Sequence, residues 1–551
     1  MTDAAIALGP SLLVLALALP LALLTLCFSP RLRRPALALQ WLAPVPALGA
    51  ALLAIGGGPF SFEAPALRLS LSLDRPGALL LAVAALLWIV VGAATFSGAR
   101  HSGARQWPSP RFAICWLLTM TGSIGVFIAA DLLTFYLVYA LVSIPAYGLI
   151  VDDDAPASKR AGGVYMAFTI LGEALLLLAL VLLAAGEPHG SLKIADVVAE
   201  LPSSPWRDGA LALIVASFGM KIGLAPLNGW MPLTYAAAPI PAAAVLSGAG
   251  VKAGVIGLIR FLPFGFALQG WGEALAIIGF FAAFYGVAIG VTQQNPKTVL
   301  AYSSISQMGV LAAALGMALA GGDASAPGLV AFAGANHVLV KGALFLTVGA
   351  FAASDWRRRS WALPLAGLLG LSLAGLPFTG GALAKLALKA PLGYGLAASL
   401  SYASAAGTAL LMLHFLMRLA KTAPADETSR IPAAIPRFWP FFALGAILIP
   451  WLFYPAIGDL SDALTLAKLW DGLWPVGIGA VLALGLQRWG QKLPRIPAGD
   501  TVVVAEAAFK SSFALSGFFE KGDSRLRGFP AGGLSLLTIA LILAALAAHG
   551  G

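Results

Sequence analysis

Stretches of apolar residues, each about 18–26 residues long, recur along the whole chain and are separated by short polar connections. Each stretch is long enough to cross a hydrocarbon core of about 30 Å as an α-helix. By this rule the chain has about sixteen crossings. They fall at 4–28, 36–56, 77–97, 112–130, 131–151, 162–184, 209–234, 241–262, 271–292, 298–320, 327–351, 361–390, 396–420, 437–455, 472–488 and 531–549.

The composition supports this interpretation. Hydrophobic residues make up 60% of the 551 residues and charged residues only 11%, whereas a soluble domain would contain about 25% charged residues. The first apolar segment, 4–28, lacks a basic leading region and a small-residue cleavage site. We expect it to be a retained helix and not a signal peptide.

The positive charges predict the orientation. Formal net charge is +10, and if the N-terminus is outside, the basic residues concentrate in the cytoplasmic connections. These hold Arg31, Arg33, Arg34, Arg100, Arg105, Arg111, Lys159, Arg160, Lys297, Arg357, Arg358, Arg359, Lys421, Arg430 and Arg437. The positive-inside rule therefore predicts a multi-pass protein of a bacterial-type inner membrane with a periplasmic N-terminus. The basic residues form no single face, which excludes a nucleic-acid partner.

Nothing in the sequence predicts a cofactor or a metal. The two cysteines, Cys27 and Cys115, lie far apart in apolar segments, whereas an iron–sulfur cluster needs four ligands and a zinc site is equally unsupported. Residues 60–75 alternate in polarity and predict a small external hairpin. Any redox chemistry must belong to another subunit.

Four lysines lie inside the apolar segments, where a charge at the bilayer centre costs at least about 2.5–3.5 kcal/mol on insertion scales. They are Lys221, Lys252, Lys341 and Lys385. His337 precedes Lys341 by one helical turn. Ionisable residues at this depth usually mark ion pathways, so we interpret them as steps of a route for ions.

Two of the lysines are next to residues that interrupt helices. Pro226 follows Lys221 in MKIGLAPLNGW, and Pro377, Gly380 and Gly381 precede Lys385 in LAGLPFTGGALAK. Broken helices at matching places in two halves are typical of inverted repeats with ion sites near the midplane. The predicted divisions are N-terminal helices at 1–111, a first repeat at 112–266, a second repeat at 267–421 and C-terminal helices at 422–551. Within the last, 500–525 is either an amphipathic helix along the membrane face or a connecting loop.

Four strings resemble the antiporter-like proton-channel subunits. These are KIGLAPLNGWMPLTYAAAPIPAAAVLSGAGVKAGVIGLIR at 221–260, QQNPKTVLAYSSISQMG at 293–309, NHVLVKGALFL at 336–346 and GLPFTGGALAK at 375–385. The family comprises the large membrane subunits of respiratory complex I, of membrane-bound hydrogenases and formate hydrogenlyases, and of multi-subunit cation/proton antiporters. The resemblance implies an all-α fold of about fourteen core transmembrane helices with two inverted five-helix repeats, two discontinuous helices and extra C-terminal helices.

The resemblance also assigns residues to a proton pathway. Lys221 matches the lysine of the first broken helix, and Lys252 matches that of the following helix. His337 and Lys341 match the histidine–lysine pair of the eleventh helix, and Lys385 matches the terminal lysine of the second broken helix. His414 is either the end of the path or an interfacial histidine.

Four positions depart from the family pattern: Ala140 replaces a glutamate of the fifth helix, Asn228 and Tyr235 replace two histidines, and Ala333 stands where some members have a further histidine. Glu173 stands in the middle of the sixth helix, and a bare glutamate among leucines is strongly disfavoured. We expect Glu173 to have taken over as the partner of Lys221. The alternative is a neutral glutamate that bonds backbone or faces a partner subunit.

The predicted function is a proton-translocating, or Na⁺-translocating, membrane subunit of a redox-driven complex of hydrogenase or complex I type. It would have no catalytic centre of its own and would work with other membrane subunits in the lipid bilayer. One alternative is a subunit of a cation/proton antiporter. Another is a structural or inorganic-carbon-uptake subunit with impaired conduction, which the lost glutamate and histidines favour.

Overall fold

Helices make up nearly all of the computed structural model, which describes residues 3–29, 31–64, 69–96, 108–353, 356–423, 431–432 and 434–508. The first half contains α1 Asp3–Cys27, α2 Arg33–Leu39, α3 Val45–Gly57, α4 Arg75–Phe96, α5 Pro110–Gly125, α6 Leu132–Ser143, α7 Ala146–Ile150, α8 Pro156–Gly186, α9 Ile194–Glu200, α10 Arg207–Ile222, α11 Trp230–Ala237, α12 Ile240–Val245 and α13 Lys252–Phe261. The second half contains α14 Gln269–Gly290, α15 Pro296–Gly321, α16 Ala326–Ala352, α17 Trp356–Ala374, α18 Gly380–Leu392, α19 Leu396–Ala420, α20 Ile435–Phe453, α21 Leu460–Ala463 and α22 Leu466–Trp489.

Within the described ranges, twelve helical stretches are long and apolar enough to cross a membrane. Three predicted crossings are absent from that set for physical reasons. Helix α5 is only 16 residues long, and the crossings at 209–234 and 361–390 are each divided into two shorter helices. The sixteenth predicted crossing, 531–549, lies outside the described residues.

A two-stranded antiparallel hairpin confirms the prediction for residues 60–75. Strand β1 (Phe60–Ala64) pairs with β2 (Leu69–Leu73), with Phe60 opposite Leu73. The Ser72 N–H donates to the Ile128 carbonyl at 2.7 Å, so the hairpin is held against the connection that follows α5.

The first interrupted helix ends at a glycine. Gly223 adopts φ +72°, and the N–H of Leu224 bonds the Gly219 carbonyl at 2.8 Å, which satisfies a carbonyl that the ended helix leaves free. Pro226 follows in the break, after a cis peptide bond with Ala225. The chain resumes as α11 at Trp230.

The second interrupted helix is broken by Gly375, which has φ +99°, with the Leu376 N–H bonding the Leu371 carbonyl at 3.0 Å. Pro377 lies in this break, as predicted. Gly380 and Gly381 do not: they form the first turn of α18, so their assignment to the helix break was wrong. Gly381 has another role, because a Cβ there would collide with the Ser372 carbonyl at the end of α17.

The core of the bundle is the part that positions the candidate site. In the stretch Ile240–Phe261 every residue except the half-buried Arg260 is buried, and so is most of α16. Between α12 and α13, Leu246–Gly250 forms a π-helix, a local widening that often accompanies functional sites.

Residues 1–498 form one compact unit and 499–551 a second. In the second unit the structure describes a helix at 500–508. This covers the start of the predicted segment 500–525, and the remainder lies outside the described residues. The divisions at 111, 266 and 421 stay predictions.

Candidate proton pathway

The centre of the bundle contains a contact between two protonatable side chains. Lys252 Nζ lies 2.8 Å from His337 Nδ1, and both residues are buried. The π-helix ends at Gly250, two residues before Lys252, while His337 lies near the middle of α16. At 2.8 Å the two nitrogens share one hydrogen bond, whose direction depends on the histidine tautomer.

Lys341 lies one turn beyond His337 but turns to a different partner. Its Nζ donates to the Leu300 carbonyl of α15 at 2.7 Å, and its side chain is fully buried. Lys341 is therefore close to His337 in the sequence, but its side-chain nitrogen bonds a backbone carbonyl and does not join the Lys252–His337 contact.

Beyond His337, a cavity of about 20 Å³ leads toward Lys385. Its lining includes His337, Asn336, Gln307 and Lys385. His337 Nε2 and Asn336 Oδ1 are buried without a hydrogen-bond partner in the described part of the chain. A cavity of this size holds about one water molecule, and these polar groups supply the partners that such a water needs.

Lys385 also lines a much larger cavity of about 710 Å³, formed by α18, α19, α22 and the residues around Tyr454. Among the residues lining the two cavities, Lys385 is the one common to both. Its Nζ is buried and has no hydrogen-bond partner within the described ranges. Lys385 therefore separates a site for one water from a space that holds many.

Lys221 lies at the end of α10, where its Nζ donates to Ser143 Oγ on α6 at 2.7 Å. The ring of Tyr139, also on α6, lies 5.4 Å from the same Nζ. Glu173 faces the bundle from α8 and is buried, with Oε1 lacking a hydrogen-bond partner in the part of the chain that the structure describes. Glu173 and Lys221 interact electrostatically but form no direct ion pair among the described side chains.

Ser143 was missed by sequence reasoning. It lies one helical turn after Ala140 on the same helix, so the spacing from the lost glutamate is the signal that could have found it. A second cavity of about 20 Å³ lies between Ser143, Ser217, Thr169 and Lys221. Lys221 therefore lines a small polar site together with three hydroxyl groups, while Gly172, the residue before Glu173, lines it from α8.

Lys221 and Lys252 make no direct contact with each other within the described structure. Asn228, in the break after α10, is fully buried and both of its amide atoms lack partners among described residues. The hydroxyls of Thr234 on α11 and Ser306 on α15 are likewise buried without partners there. Buried polar groups of this kind usually bond ordered water, so hydration is expected where the family has histidines.

His414 is not brought together with the other predicted residues. Its Nε2 lies 2.8 Å from the Gln293 carbonyl, in the connection between α14 and α15. The Gln293 amide in turn donates to the Ile496 carbonyl at 3.0 Å. The hydrogen bond to the Gln293 carbonyl is sufficient to explain why His414 is buried.

Two half-buried cations have structural explanations. Arg260 donates to the carbonyls of Phe127 and Ala129 after α5, and Lys297 donates to those of Ala236 and Ala238 at the C-terminal end of α11. Cations that bond the carbonyls at a helix end stabilise that end. Over the described ranges, no group of three or more His, Cys, Asp or Glu side chains is placed to hold a metal ion.

Comparison with known proteins agrees with this arrangement. Residues 129–413 match the family described as NADH:quinone oxidoreductase/Mrp antiporter, TM. Hydrogenase-4 component B of Escherichia coli (strain K12) is 29% identical over 314 residues, which are 55% of this chain and 45% of that protein. NADH-quinone oxidoreductase subunit N of Salinispora tropica is 30% identical over 379 residues, 63% of this chain and 73% of that one. The chain thus spans less than half the length of the hydrogenase component.

Two solved structures share the fold. A chain of the Mrp complex from Dietzia sp. DQ12-45-1b superposes with a TM-score of 0.76 at 22% identity, over 98% of this chain and 63% of that one. A chain of respiratory complex I from Thermus thermophilus gives 0.62 at 24% identity, over 81% of this chain and all of that one. The family match over residues 129–413 confirms the predicted family, and the two structures confirm the all-α polytopic membrane fold.

Proposed function

Since the chain belongs to the NADH:quinone oxidoreductase/Mrp antiporter transmembrane family, we propose that it is a proton-translocating membrane subunit of a multi-subunit, redox-driven complex of hydrogenase or complex I type. Protons pass along the bundle centre through Lys252, His337 and Lys385. Lys221 with Glu173 forms an earlier step of the same path. The energy comes from a partner subunit.

The observation that supports the proposal most is the position of Lys385. On one side it shares a one-water cavity with His337, which contacts Lys252 at 2.8 Å, and on the other it lines the 710 Å³ cavity. A lysine in this position can take a proton from the inner water and pass it to the outer one. Ammonium and amine forms of lysine both occur when the side chain is buried, which suits such a relay.

The path is tested in the native complex, purified through this chain and reconstituted in vesicles with an internal pH-sensitive dye. Lys385→Ala should lower proton translocation at least about tenfold while the complex assembles, as expected for the loss of a transferring group. Lys193→Ala is the matched control, because Lys193 is exposed and pairs with Glu63. Full translocation by Lys385→Ala would rule out the proposed path and favour a structural role.

A subunit of a cation/proton antiporter is the second candidate, because the family's description includes Mrp antiporters. The proteins that co-purify with the chain separate the two. Iron–sulfur and nickel proteins support the redox-driven complex, and several small membrane subunits without redox centres support the antiporter.

The proposed orientation has a periplasmic N-terminus in a bacterial-type inner membrane. It places the β1–β2 hairpin outside and the connection between α7 and α8 inside. With Cys27 and Cys115 replaced by alanine, Ser61→Cys and Lys159→Cys give one exposed thiol in each place. A membrane-impermeant thiol reagent added to whole spheroplasts should label the first thiol alone, and labelling of both or of the second alone would contradict the orientation.

A further inference from the structure

A second lysine faces the large cavity one helical turn beyond Lys385. Lys389 Nζ lies 2.5 Å from Asp471 Oδ2 on α22, and the two side chains are 31% and 34% exposed. The same Nζ lies 5.2 Å from the centre of the Tyr402 ring. Two lysines on one face of α18 therefore line the cavity, and Lys389 is the one that pairs with the carboxylate of Asp471.

Backbone packing places the segment that carries Asp471 against the helix break next to Lys385. The next residue, Gly472, lies against the helix break, where an added Cβ would be 2.8 Å from the Gly375 carbonyl. On its other side Gly375 lies against Lys385, since a Cβ on it would be 3.1 Å from Lys385 Cγ. Gly375 thus stands between the backbone that carries Asp471 and the side chain of Lys385.

Lys385 lacks the partner that a charged form requires. Its Nζ has no hydrogen-bond acceptor among described residues, and an unpaired ammonium in such a site is strongly disfavoured. Lys385 and Lys389 are four residues apart on α18 and so lie on the same face. One carboxylate beside two lysines at this spacing can pair with either by rotation of flexible side chains.

We propose that Asp471 is shared between the two lysines and controls proton release from Lys385. When Lys385 receives a proton from the inner cavity, Asp471 leaves Lys389 and pairs with the new ammonium group. The ammonium then gives its proton to a cavity water, the resulting hydronium ion departs, and Asp471 returns to Lys389. This proposal rests on the proposed function and makes Asp471 a positioning residue for its last step.

Other ionisable groups surround the cavity and stay constant in the test. They are Asp459, Asp462, Tyr394, Tyr402, Tyr454 and Lys468. From α16, His337 faces Lys385 through the inner cavity. Variants at positions 389 and 471 therefore isolate the shared carboxylate from this fixed background.

The alternative is that the ion pair only fastens α22 to α18, and the pH profile of translocation separates the two roles. Asp471→Asn and Lys389→Met both break the pair, so a simple fastening predicts the same change in both. A shared carboxylate predicts opposite changes. Without Asp471, Lys385 binds its proton less well, and the decline of translocation at high pH should move down by about one pH unit. Without Lys389, Asp471 is free for Lys385, and the decline should move up.

The measurement uses the native complex in dye-loaded vesicles, over a series of external pH values. The double variant Lys389→Met/Asp471→Asn leaves no unpaired charge and should follow Asp471→Asn. Equal shifts in all three variants, or no shift in any, would overturn the shared carboxylate. If single variants fail to assemble, the double variant compared with wild type still decides, because an unshifted profile contradicts the proposal. Lys385→Ala, run in parallel, tests the pathway itself, so failure of either idea is recognised separately.

Discussion

The two interrupted helices use the same backbone device but surround their lysines differently. In each, a glycine with positive φ ends the first half, and the N–H of the following leucine bonds a carbonyl five residues back. Lys221, however, lies before its break, at the end of α10, while Lys385 lies after its break, within α18. The same interruption therefore presents a lysine from opposite sides in the two halves.

The surroundings differ as much as the positions. Lys221 has a hydroxyl partner in Ser143 and a nearby carboxylate in Glu173, beside a cavity of about 20 Å³. Lys385 has no hydrogen-bond partner in the described residues, and it lies between another cavity of about 20 Å³ and the cavity of about 710 Å³. A lysine with fixed partners binds its proton more tightly than a lysine between two water sites. In the proposed pathway we therefore expect the first site to hold each proton longer and the second site to release it.

The largest expected effect tests whether both lysines must change protonation. Lys221→Arg and Lys385→Arg keep a positive charge of similar reach, but arginine does not release its proton at a useful pH. Each should lower translocation at least about tenfold in the reconstituted complex. Retained transport in Lys221→Arg with loss in Lys385→Arg would sharpen the comparison, because it would make Lys221 a fixed charge.

The next effect concerns the second break itself. Gly381→Ala should destabilise the protein by about 1–3 kcal/mol, since the new Cβ meets the Ser372 carbonyl and the backbone must shift. Gly163→Ala on α8 is the matched control, because nothing lies within 4 Å of its added Cβ. Thermal denaturation in detergent should show a lower midpoint for the first variant and an unchanged or higher one for the second. Equal midpoints would mean that the close approach of α17 and α18 is not needed.

Much of this fold could be predicted because it is encoded locally. The predicted crossing at 396–420 coincides with α19, and the hairpin follows from simple alternation. Features that depend on contacts between distant segments could not. The sequence assigns Pro377, Gly380 and Gly381 to the second break, but the break begins at Gly375, which has positive φ, and both later glycines belong to α18. The contact of Ser143 with Lys221 joins α6 to α10, and the large cavity beside Lys385 is lined in part by residues of α22. The hydrophobic periodicity of a single helix predicts neither of these contacts between helices.

A smaller effect separates the two partners of Lys221. Glu173→Gln keeps the side-chain shape and removes its charge, so translocation should fall about threefold to tenfold because the charged lysine loses its nearby carboxylate. Ser143→Ala removes one hydrogen bond to an uncharged hydroxyl and should lower translocation only about twofold or threefold. The same assay measures both. A larger loss in Ser143→Ala than in Glu173→Gln would show that the hydroxyl, and not the carboxylate, maintains the first site.

The last and smallest effect asks whether the carboxylate has moved from the fifth helix to the sixth. Residue 140 lies one turn before Ser143 on α6, and Tyr139 beside it is already near Lys221. A glutamate at 140 would therefore approach Lys221 from α6, whereas Glu173 belongs to α8. Ala140→Glu in the Glu173→Gln background should recover part of the lost translocation, whereas Ala140→Gln in that background should recover none. Recovery limited to the glutamate would mean that the site needs one carboxylate near Lys221 and accepts it from either helix. Failure of both, in complexes that assemble normally, would assign Glu173 a role independent of Lys221 and leave Ser143 as the partner that distinguishes the first lysine from the second.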